Sequence, residues 1–359
     1  MAPQDPALDA LLAELGALDR ELVLLVERRG RAALEVALRV RALGGSAKDA
    51  ARATTALVPP VASEAGPFDP QELAVVVELV RAQGAALAER QGQPALHVRR
   101  GAGEPDRQLV VRGHPIGGAP IVIAGPCAVE SAEQIDATAA FLAARGVRFL
   151  RGGAYKPRTS PYDFQGLGEP GLALLSAAAR AHGLASVTEV LDPRDVERAC
   201  EHADVLQVGA RNMQNFALLR EVGRARRPVV LKRGMAATLD EWLLAAEHVL
   251  ALGNEELILC ERGIRTFEPR TRATLDVSAI ALLRQDVPFP IIADVSHPAG
   301  RRDILVPLAR AALAAGAQGL MVEVHPDPVR ARSDAQQQLD FPGFDRFVAA
   351  LWPDGRVPG

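Results

Sequence analysis

Leucines recur at positions 8, 11, 15, 18, 22 and 25, in steps of three and four that place them on one stripe of a helix. The run predicts a helix from about Asp5 to Leu43, stopped by Gly44-Gly45. At 1.5 Å per residue such a helix is roughly 50 Å long. A helix of that length with a single apolar stripe must pack against other helices, from this chain or from a second copy. A short helix follows Ser46 and ends before Pro59-Pro60. Asp69-Pro70-Gln71-Glu72 then supplies a helix start, with a capping Asp and Pro at the first helical position. Leu73, Val76, Val77, Val80 and Leu87 carry the apolar face of this third helix. Residues 91–120 are rich in Gly, Pro and charge and read as a linker, with a β-hairpin between 96–99 and 109–112.

The pattern then changes. From Ile121 onward, short β-branched runs alternate with Ala/Leu-rich helical stretches. The runs are 121–124, 147–151, 185–189, 205–208, 229–232, 257–261, 290–294 and 319–323. They are mainly apolar, as strands of a parallel sheet buried on both faces are, with polar residues gathered toward their C-terminal ends. Thr238-Leu-Asp-Glu241 is a capping box at the start of one intervening helix. Eight strand–helix units within 121–359 match the size and count of a (β/α)8 TIM barrel. The predicted organisation is therefore a small all-α domain (1–92), a linker (93–120) and an α/β barrel (121–359).

Composition mostly excludes. A chain of 359 residues accommodates about two domains. A net charge of −3, from 41 basic and 44 acidic residues, argues against bulk nucleic-acid binding. No apolar run reaches the roughly 18 residues of a membrane span. The first residues lack the basic start and apolar run of a signal peptide. Three cysteines, Cys127, Cys200 and Cys260, form no disulfide framework, and the last two read as core. A cytoplasmic protein is expected. Only three of the basic residues are lysine: Lys48, Lys156 and Lys232. In so arginine-rich a background, a surviving ammonium marks a candidate for a specific task, since it is compact and can give up its proton.

Barrels carry their sites on the loops after the strands. Here those positions hold Cys127, then Arg151 with Lys156-Pro-Arg158-Thr159, then Glu189, Arg211, Lys232, Glu261-Arg262, Asp294 with His297, and Glu323. Arg151, Lys156, Arg158, Arg211, Lys232 and Arg262 exceed what one phosphate needs and suit substrates with several phosphate and carboxylate groups. Cys127, His297, Glu323 and Asp334 offer S, N and O donors, a mixed divalent-metal set; Asp327 shares the loop of Asp334. Gly166-Leu-Gly168-Glu-Pro-Gly171 has dinucleotide-binding spacing. It does not open from a strand and contains a proline, so it reads as a helix-entry turn.

Two resemblances follow. The long–short–long helical front, with Asp19 and Glu27-Arg28-Arg29, resembles the all-helical chorismate mutase fold, usually an intertwined dimer. Arg28 matches a carboxylate-binding position and Arg39 stands where the family has a Lys. Leu12 replaces the first family Arg, and Asp49-x-x-Arg52-Ala53 lacks the family Glu. The resemblance implies an effector domain for prephenate or chorismate using Arg28, Arg39 and Arg52, with mutase activity weak or lost.

The barrel resembles 3-deoxy-D-arabino-heptulosonate-7-phosphate (DAHP) synthase. The motifs are Ala-Gly-Pro-Cys127-Ala-Val-Glu-Ser131, Leu-Arg151-Gly-Gly-Ala-Tyr-Lys156-Pro-Arg158-Thr159, Gln207-Val-Gly-Ala-Arg211, Leu-Lys232-Arg-Gly234, Cys-Glu-Arg262-Gly, Asp294-Val-Ser-His297 and Glu323-Val-His-Pro-Asp-Pro with Ser333-Asp334. The resemblance implies condensation of phosphoenolpyruvate with erythrose 4-phosphate. Arg151, Lys156, Arg211, Lys232 and Arg262 would hold phosphoenolpyruvate, and Arg158, Thr159 and Asp294 the sugar phosphate. Cys127, His297, Glu323 and Asp334 would bind a divalent metal such as Mn²⁺. Lys156 is the expected general acid, its pKa lowered by neighbouring cations, with His297 a further catalytic residue and Glu189 positioning water. It also implies a homo-oligomer, a dimer or a tetramer, with the tetramer favoured. Four rivals remain: a bifunctional enzyme with genuine chorismate mutase activity, the sister 3-deoxy-D-manno-octulosonate 8-phosphate synthase, a Schiff-base aldolase using Lys156 or Lys232, and a non-catalytic ligand sensor.

Overall fold

The computed structural model describes residues 6–55, 70–92, 96–158 and 160–358. The chain divides into two compact units, Met1–Ala95 and Leu96–Gly359.

The first unit contains three helices, α1 (Pro6–Ala42), α2 (Ala47–Thr55) and α3 (Pro70–Gly92). Gly44, at φ 82°, turns the chain after α1, and the Ser46 hydroxyl accepts the Asp49 N–H at 3.2 Å to start α2. Small residues let the helices approach: Ala33, Ala37 and Ala50 are buried where they meet. The guanidinium of Arg29 donates to the carbonyls of Val80 on α3 and Thr54 on α2, each at 3.3 Å, so one side chain ties all three helices. The leucine stripe has another fate. Leu11, Leu15, Leu18, Leu22 and Leu25 remain 51–58% exposed, so the expected partner helices do not come from the described part of this chain.

The second unit opens with β1 (Leu109–Val111) paired antiparallel to β2 (His114–Ile116). The hairpin expected between 96–99 and 109–112 therefore forms one segment later. Gly113 at φ 84° and Arg112 at φ 50° supply the left-handed turn that the more distant pairing would have lacked. Residues 96–120 are no free linker, because Val98 and Ile116 are fully buried. Arg100 donates to the Val287 carbonyl at 2.6 Å and the Arg107 N–H to that of Pro288 at 2.7 Å.

Eight parallel strands then close a barrel: β3 (Ile121–Gly125), β4 (Phe149–Arg151), β5 (Ala185–Val190), β6 (Val205–Val208), β7 (Val229–Lys232), β8 (Leu257–Glu261), β9 (Ile291–Asp294) and β10 (Gly319–Glu323). β10 pairs with β3, Gly319 opposite Ile121, so no sheet edge remains. Between and after the strands run α4 (Ala132–Ala143), α5 (Glu169–Ala181), α6 (Val196–His202), α7 (Phe216–Arg224), α8 (Leu239–Leu250), α9 (Val277–Asp286), the short α10 (Ser296–Ala299), α11 (Leu305–Ala314) and α12 (Phe341–Leu351). The Thr238–Glu241 capping box starts α8 as expected. The structure is the predicted TIM barrel, preceded by an all-α unit. No helix among the described residues is long and apolar enough to cross a membrane.

Strand periodicity decides what the barrel holds. Outward residues such as Val122, Leu150, Leu206, Leu231, Leu259 and Val322 join the helix-side core. Inward residues Ile123, Phe149, Val187, Val205, Val230, Cys260, Ile292 and Met321 form a second core, which the hairpin closes from below with Leu109, Val111 and Ile116. Two residues further along each strand, the same inward face carries Arg151, Glu189, Gln207, Lys232, Arg262, Asp294 and Glu323. The barrel is therefore apolar at its lower end and charged at its upper one.

Candidate active site

The charged layer opens into a cavity of about 310 Å³, lined by Arg151, Lys156, Arg158, Glu189, Gln207, Arg211, Lys232, Arg262, His297 and Asp334 among others. All six cations singled out in the sequence face it. Two more arginines, Arg265 and Arg272, were not foreseen. They lie on the long loop after β8, beyond the positions that strand spacing marks. Thr159 lies outside the described residues.

The cations differ in their ties. Lys232 donates to Asp294 at 2.5 Å, both side chains almost fully buried. Arg151 donates to Glu323 at 3.0 Å. Arg158 donates to the Phe164 carbonyl at 3.1 Å, which fixes its direction on the loop after β4. Arg211 follows the turn after β6 and stays exposed on the cavity wall. Glu189 packs against Gly209, where a Cβ would lie 1.9 Å from its Oε1. Gln207 donates to the other oxygen of Glu189 at 3.4 Å.

Asp294 departs from the expected sugar contact. Its side chain is fully buried, and both oxygens are already taken. Oδ1 accepts the N–H groups of Ser296 (3.1 Å) and His297 (3.0 Å), while Oδ2 faces Lys232 and His297 Nδ1 (2.7 Å). Because Asp294 ends β9 and α10 follows at once, its carboxylate is turned toward the start of that helix. Opposed by its burial, the neighbouring His297 and Lys232 still hold its pKa well below the usual carboxyl value. Asp294 orients His297 and balances Lys232.

Three of the four expected metal ligands converge directly, and His297 adjoins two of them. The donor atoms of Cys127, Glu323 and Asp334 lie within 4.8 Å of one another. His297 Nε2 is 3.4 Å from Glu323 Oε1 and 3.9 Å from Asp334 Oδ2. Asp327, the alternative, is instead paired with Arg330 at 3.3 Å. Burial outweighs the adjacent Asp294 and Glu323 carboxylates and lowers the His297 pKa, so the ring is neutral at neutral pH. With Nδ1–H directed at Asp294, the lone pair of Nε2 points at two carboxylates that also carry lone pairs. Burial resists ionisation of Asp334, yet Arg272 and His297 bring its pKa down to about 2. Burial and Glu323, opposed by Lys156 and Arg151, push the Cys127 thiol up to about 12. Converging lone pairs, a neutral imidazole oriented by a carboxylate and a nearby thiol fit a divalent cation of borderline softness.

Lys156 corrects one expectation. Its ammonium donates to the Cys127 carbonyl and lies against its sulfur, each at 3.0 Å. Burial and Arg151 pull its pKa down, but Cys127, Glu189 and Glu323 outweigh them, and the pKa stands above the ordinary lysine value. The Cys127 sulfur and the carboxylates of Glu189 and Glu323, not the surrounding cations, set its state. In the first unit, Arg28 and Arg52 are exposed, and Arg39 is exposed and paired with Glu35 at 3.1 Å. Among the described residues, the arginines that turn inward there are Arg29, one residue from the one singled out, and the buried Arg81.

Fold and rim together define a (β/α)8 barrel whose mouth sets the six expected cationic side chains beside a cluster of S, N and O donors. The chain belongs to the DAHP synthetase I family, whose model matches residues 108–357. It is 55% identical over 230 residues to the phospho-2-dehydro-3-deoxyheptonate aldolase of Thermotoga maritima, covering 64% of this chain and 68% of that one. A 2-dehydro-3-deoxyphosphooctonate aldolase of Acidithiobacillus ferrooxidans is 34% identical over 254 residues, 66% of this chain and 85% of the relative. Among solved structures, the Thermotoga maritima DAHP synthase matches with a TM-score of 0.70 and 50% identity, covering 72% of this chain and 76% of that one. A truncated form of the Thermotoga maritima enzyme matches with a TM-score of 0.65 and 48% identity, over 69% and 91% of the two chains.

Proposed function

We propose that this protein condenses phosphoenolpyruvate with D-erythrose 4-phosphate and water, giving 3-deoxy-D-arabino-heptulosonate 7-phosphate and inorganic phosphate. The observation that carries this reading is the single cavity in which six cations converge beside Cys127, His297, Glu323 and Asp334. Two multiply charged anions repel one another in water. The arginines and lysines of the wall offset that repulsion and hold the reacting carbons together. Arg151, Lys156, Arg211, Lys232 and Arg262 take phosphoenolpyruvate, and Arg158 and Thr159 the sugar phosphate. Cys127, His297, Glu323 and Asp334 would hold a divalent cation such as Mn²⁺, which supplies Lewis acidity toward the aldehyde oxygen. Lys156, protonated and close to that cluster, holds the proton that the new alkoxide receives. Glu189 orients the water that adds at C2 before the C–O bond to phosphate breaks.

Two-substrate assays test this. Phosphate release should require both substrates, cease with EDTA and return with Mn²⁺. The octulosonate relatives supply a second reading, with arabinose 5-phosphate as the sugar. The higher identity to the heptulosonate enzyme favours erythrose 4-phosphate, and a preference for arabinose 5-phosphate would overturn the assignment. Trapping of a substrate adduct by borohydride would instead support a Schiff base. A site that bound the substrates without turnover would be a sensor. The first unit we read as a prephenate- or chorismate-binding effector domain, with Arg28, Arg39 and Arg52 as carboxylate ligands and mutase activity weak or lost. The exposed leucine stripe of α1 supports self-association as a dimer or tetramer of a cytoplasmic enzyme.

A further inference from the structure

Two adjacent glutamines follow Asp334, and both are almost wholly buried. Gln337 donates from Nε2 to Glu323 Oε2 at 2.6 Å, while its Oε1 accepts from Arg272 at 3.0 Å. Arg272 also donates to Asp334 Oδ1 at 3.2 Å. One amide, together with Arg272, thus links the outer oxygens of two carboxylates that belong to different segments. The other two oxygens face the cluster: Glu323 Oε1, which also accepts from Arg151 at 3.0 Å, lies 3.4 Å from His297 Nε2, and Asp334 Oδ2 lies 3.3 Å from Cys127 Sγ. Gln338 performs the matching task for the thiol. Its Oε1 accepts the Cys127 N–H at 3.0 Å and its Nε2 donates to the Ser333 carbonyl at 2.7 Å. Asp334 itself stands at φ 48°, a left-handed conformation that the surrounding bonds must hold.

We propose that Gln337 and Gln338 are positioning residues that set the metal affinity of this site: Gln337 holds one oxygen of Glu323 and, through Arg272, one of Asp334, and Gln338 holds the Cys127 backbone, so that the remaining donors face a common point. The inference rests on the metal reading above. It assigns these amides no contact with substrate or cation. A glutamine suits both places because each needs a donor at one end and an acceptor at the other; a glutamate would set a carboxylate against Glu323 or against the Ser333 carbonyl.

The test is calorimetric titration of Mn²⁺ into chelator-stripped full-length protein. Gln337→Met and Gln338→Met keep side-chain length and remove both hydrogen bonds. Each should weaken Mn²⁺ binding about 10- to 100-fold. At saturating Mn²⁺, the KM for phosphoenolpyruvate should stay within about twofold of wild type, because substrate contacts are untouched. Gln336→Leu, at the exposed neighbouring position, should bind like wild type. Arg272→Met attacks the same bridge from its half-exposed end and serves where a methionine variant does not fold. Unchanged Mn²⁺ affinity in the folded variants would overturn the proposal while leaving the metal site intact. Wild-type protein that binds no Mn²⁺ would instead remove the metal reading, and this inference with it.

Discussion

Replacing Asp294 with Asn isolates a single charge at the centre of the barrel. The variant keeps the shape and an acceptor oxygen for the N–H groups of Ser296 and His297. What it loses is the countercharge of Lys232, an ammonium whose side chain is 5% exposed. At an effective dielectric of about 20 and the 2.5 Å separation, Coulomb's law gives roughly 7 kcal/mol for the pair. Burying a carboxylate is itself costly, so part of that attraction only offsets desolvation. Breaking such a pair from one side nevertheless costs about 3–5 kcal/mol, because the partner stays buried and unbalanced. Both tryptophans, Trp242 and Trp352, belong to the barrel unit, so urea unfolding followed by tryptophan fluorescence reports the barrel alone. The variant should lose about 3–5 kcal/mol at pH 7. The pH dependence has a definite sign. Asp294 has a folded pKa below its unfolded value, so its contribution is complete above about pH 4 and fades as pH falls toward the folded pKa. Wild type and variant should therefore converge in acid. A loss below about 1 kcal/mol at pH 7, or a gap that widens on acidification, would refute the role of Asp294 as the buried counterion of Lys232.

Three further outcomes follow from other parts of the molecule. Ile116→Ala opens a void beneath the barrel, where the residue is fully buried, and should cost about 2–5 kcal/mol in the same unfolding assay without moving the KM for phosphoenolpyruvate. Gly209→Ala places a Cβ 1.9 Å from Glu189 Oε1, so kcat should fall on the order of 10- to 100-fold as that carboxylate shifts, with little change in stability. A protein lacking residues 1–92 should keep condensation activity and lose inhibition by prephenate or chorismate in steady-state assays; retained inhibition would place the effector site in the barrel.

Much of the site was legible because strand geometry is simple. A residue at the C-terminal end of a barrel strand reaches the rim, so Arg151, Glu189, Lys232, Arg262, Asp294 and Glu323 could be placed by counting along eight apolar runs. Residues on long loops resist such counting. Arg265 and Arg272 enter the cavity only because the loop after β8 folds back over the mouth, with Ile264 bridged to Thr274. Gln337 and Gln338 have the same origin. A run of three glutamines between a strand and a helix was the available signal, but its partners are Glu323 and the Cys127 backbone, the latter more than two hundred positions away in the chain. The hairpin failed for a local reason: turn residues at Arg112 and Gly113 closed a nearer pairing than the apolar pattern suggested.

The amino-acid sequence by itself determined the architecture and the chemistry. Period-2 and period-3.6 patterns specify which face each element buries, and they do so whatever the neighbours are. Only the tertiary structure decided the electrostatic state of the site. Lys156 looked like an ammonium crowded by cations, yet closing the barrel set Cys127, Glu189 and Glu323 around it and raised its pKa. Asp294 looked like a substrate ligand, yet folding saturated it with His297, Lys232 and two backbone amides. Charge interactions in a buried site are little screened and vary inversely with separation, so they depend on distances that no spacing along the chain encodes.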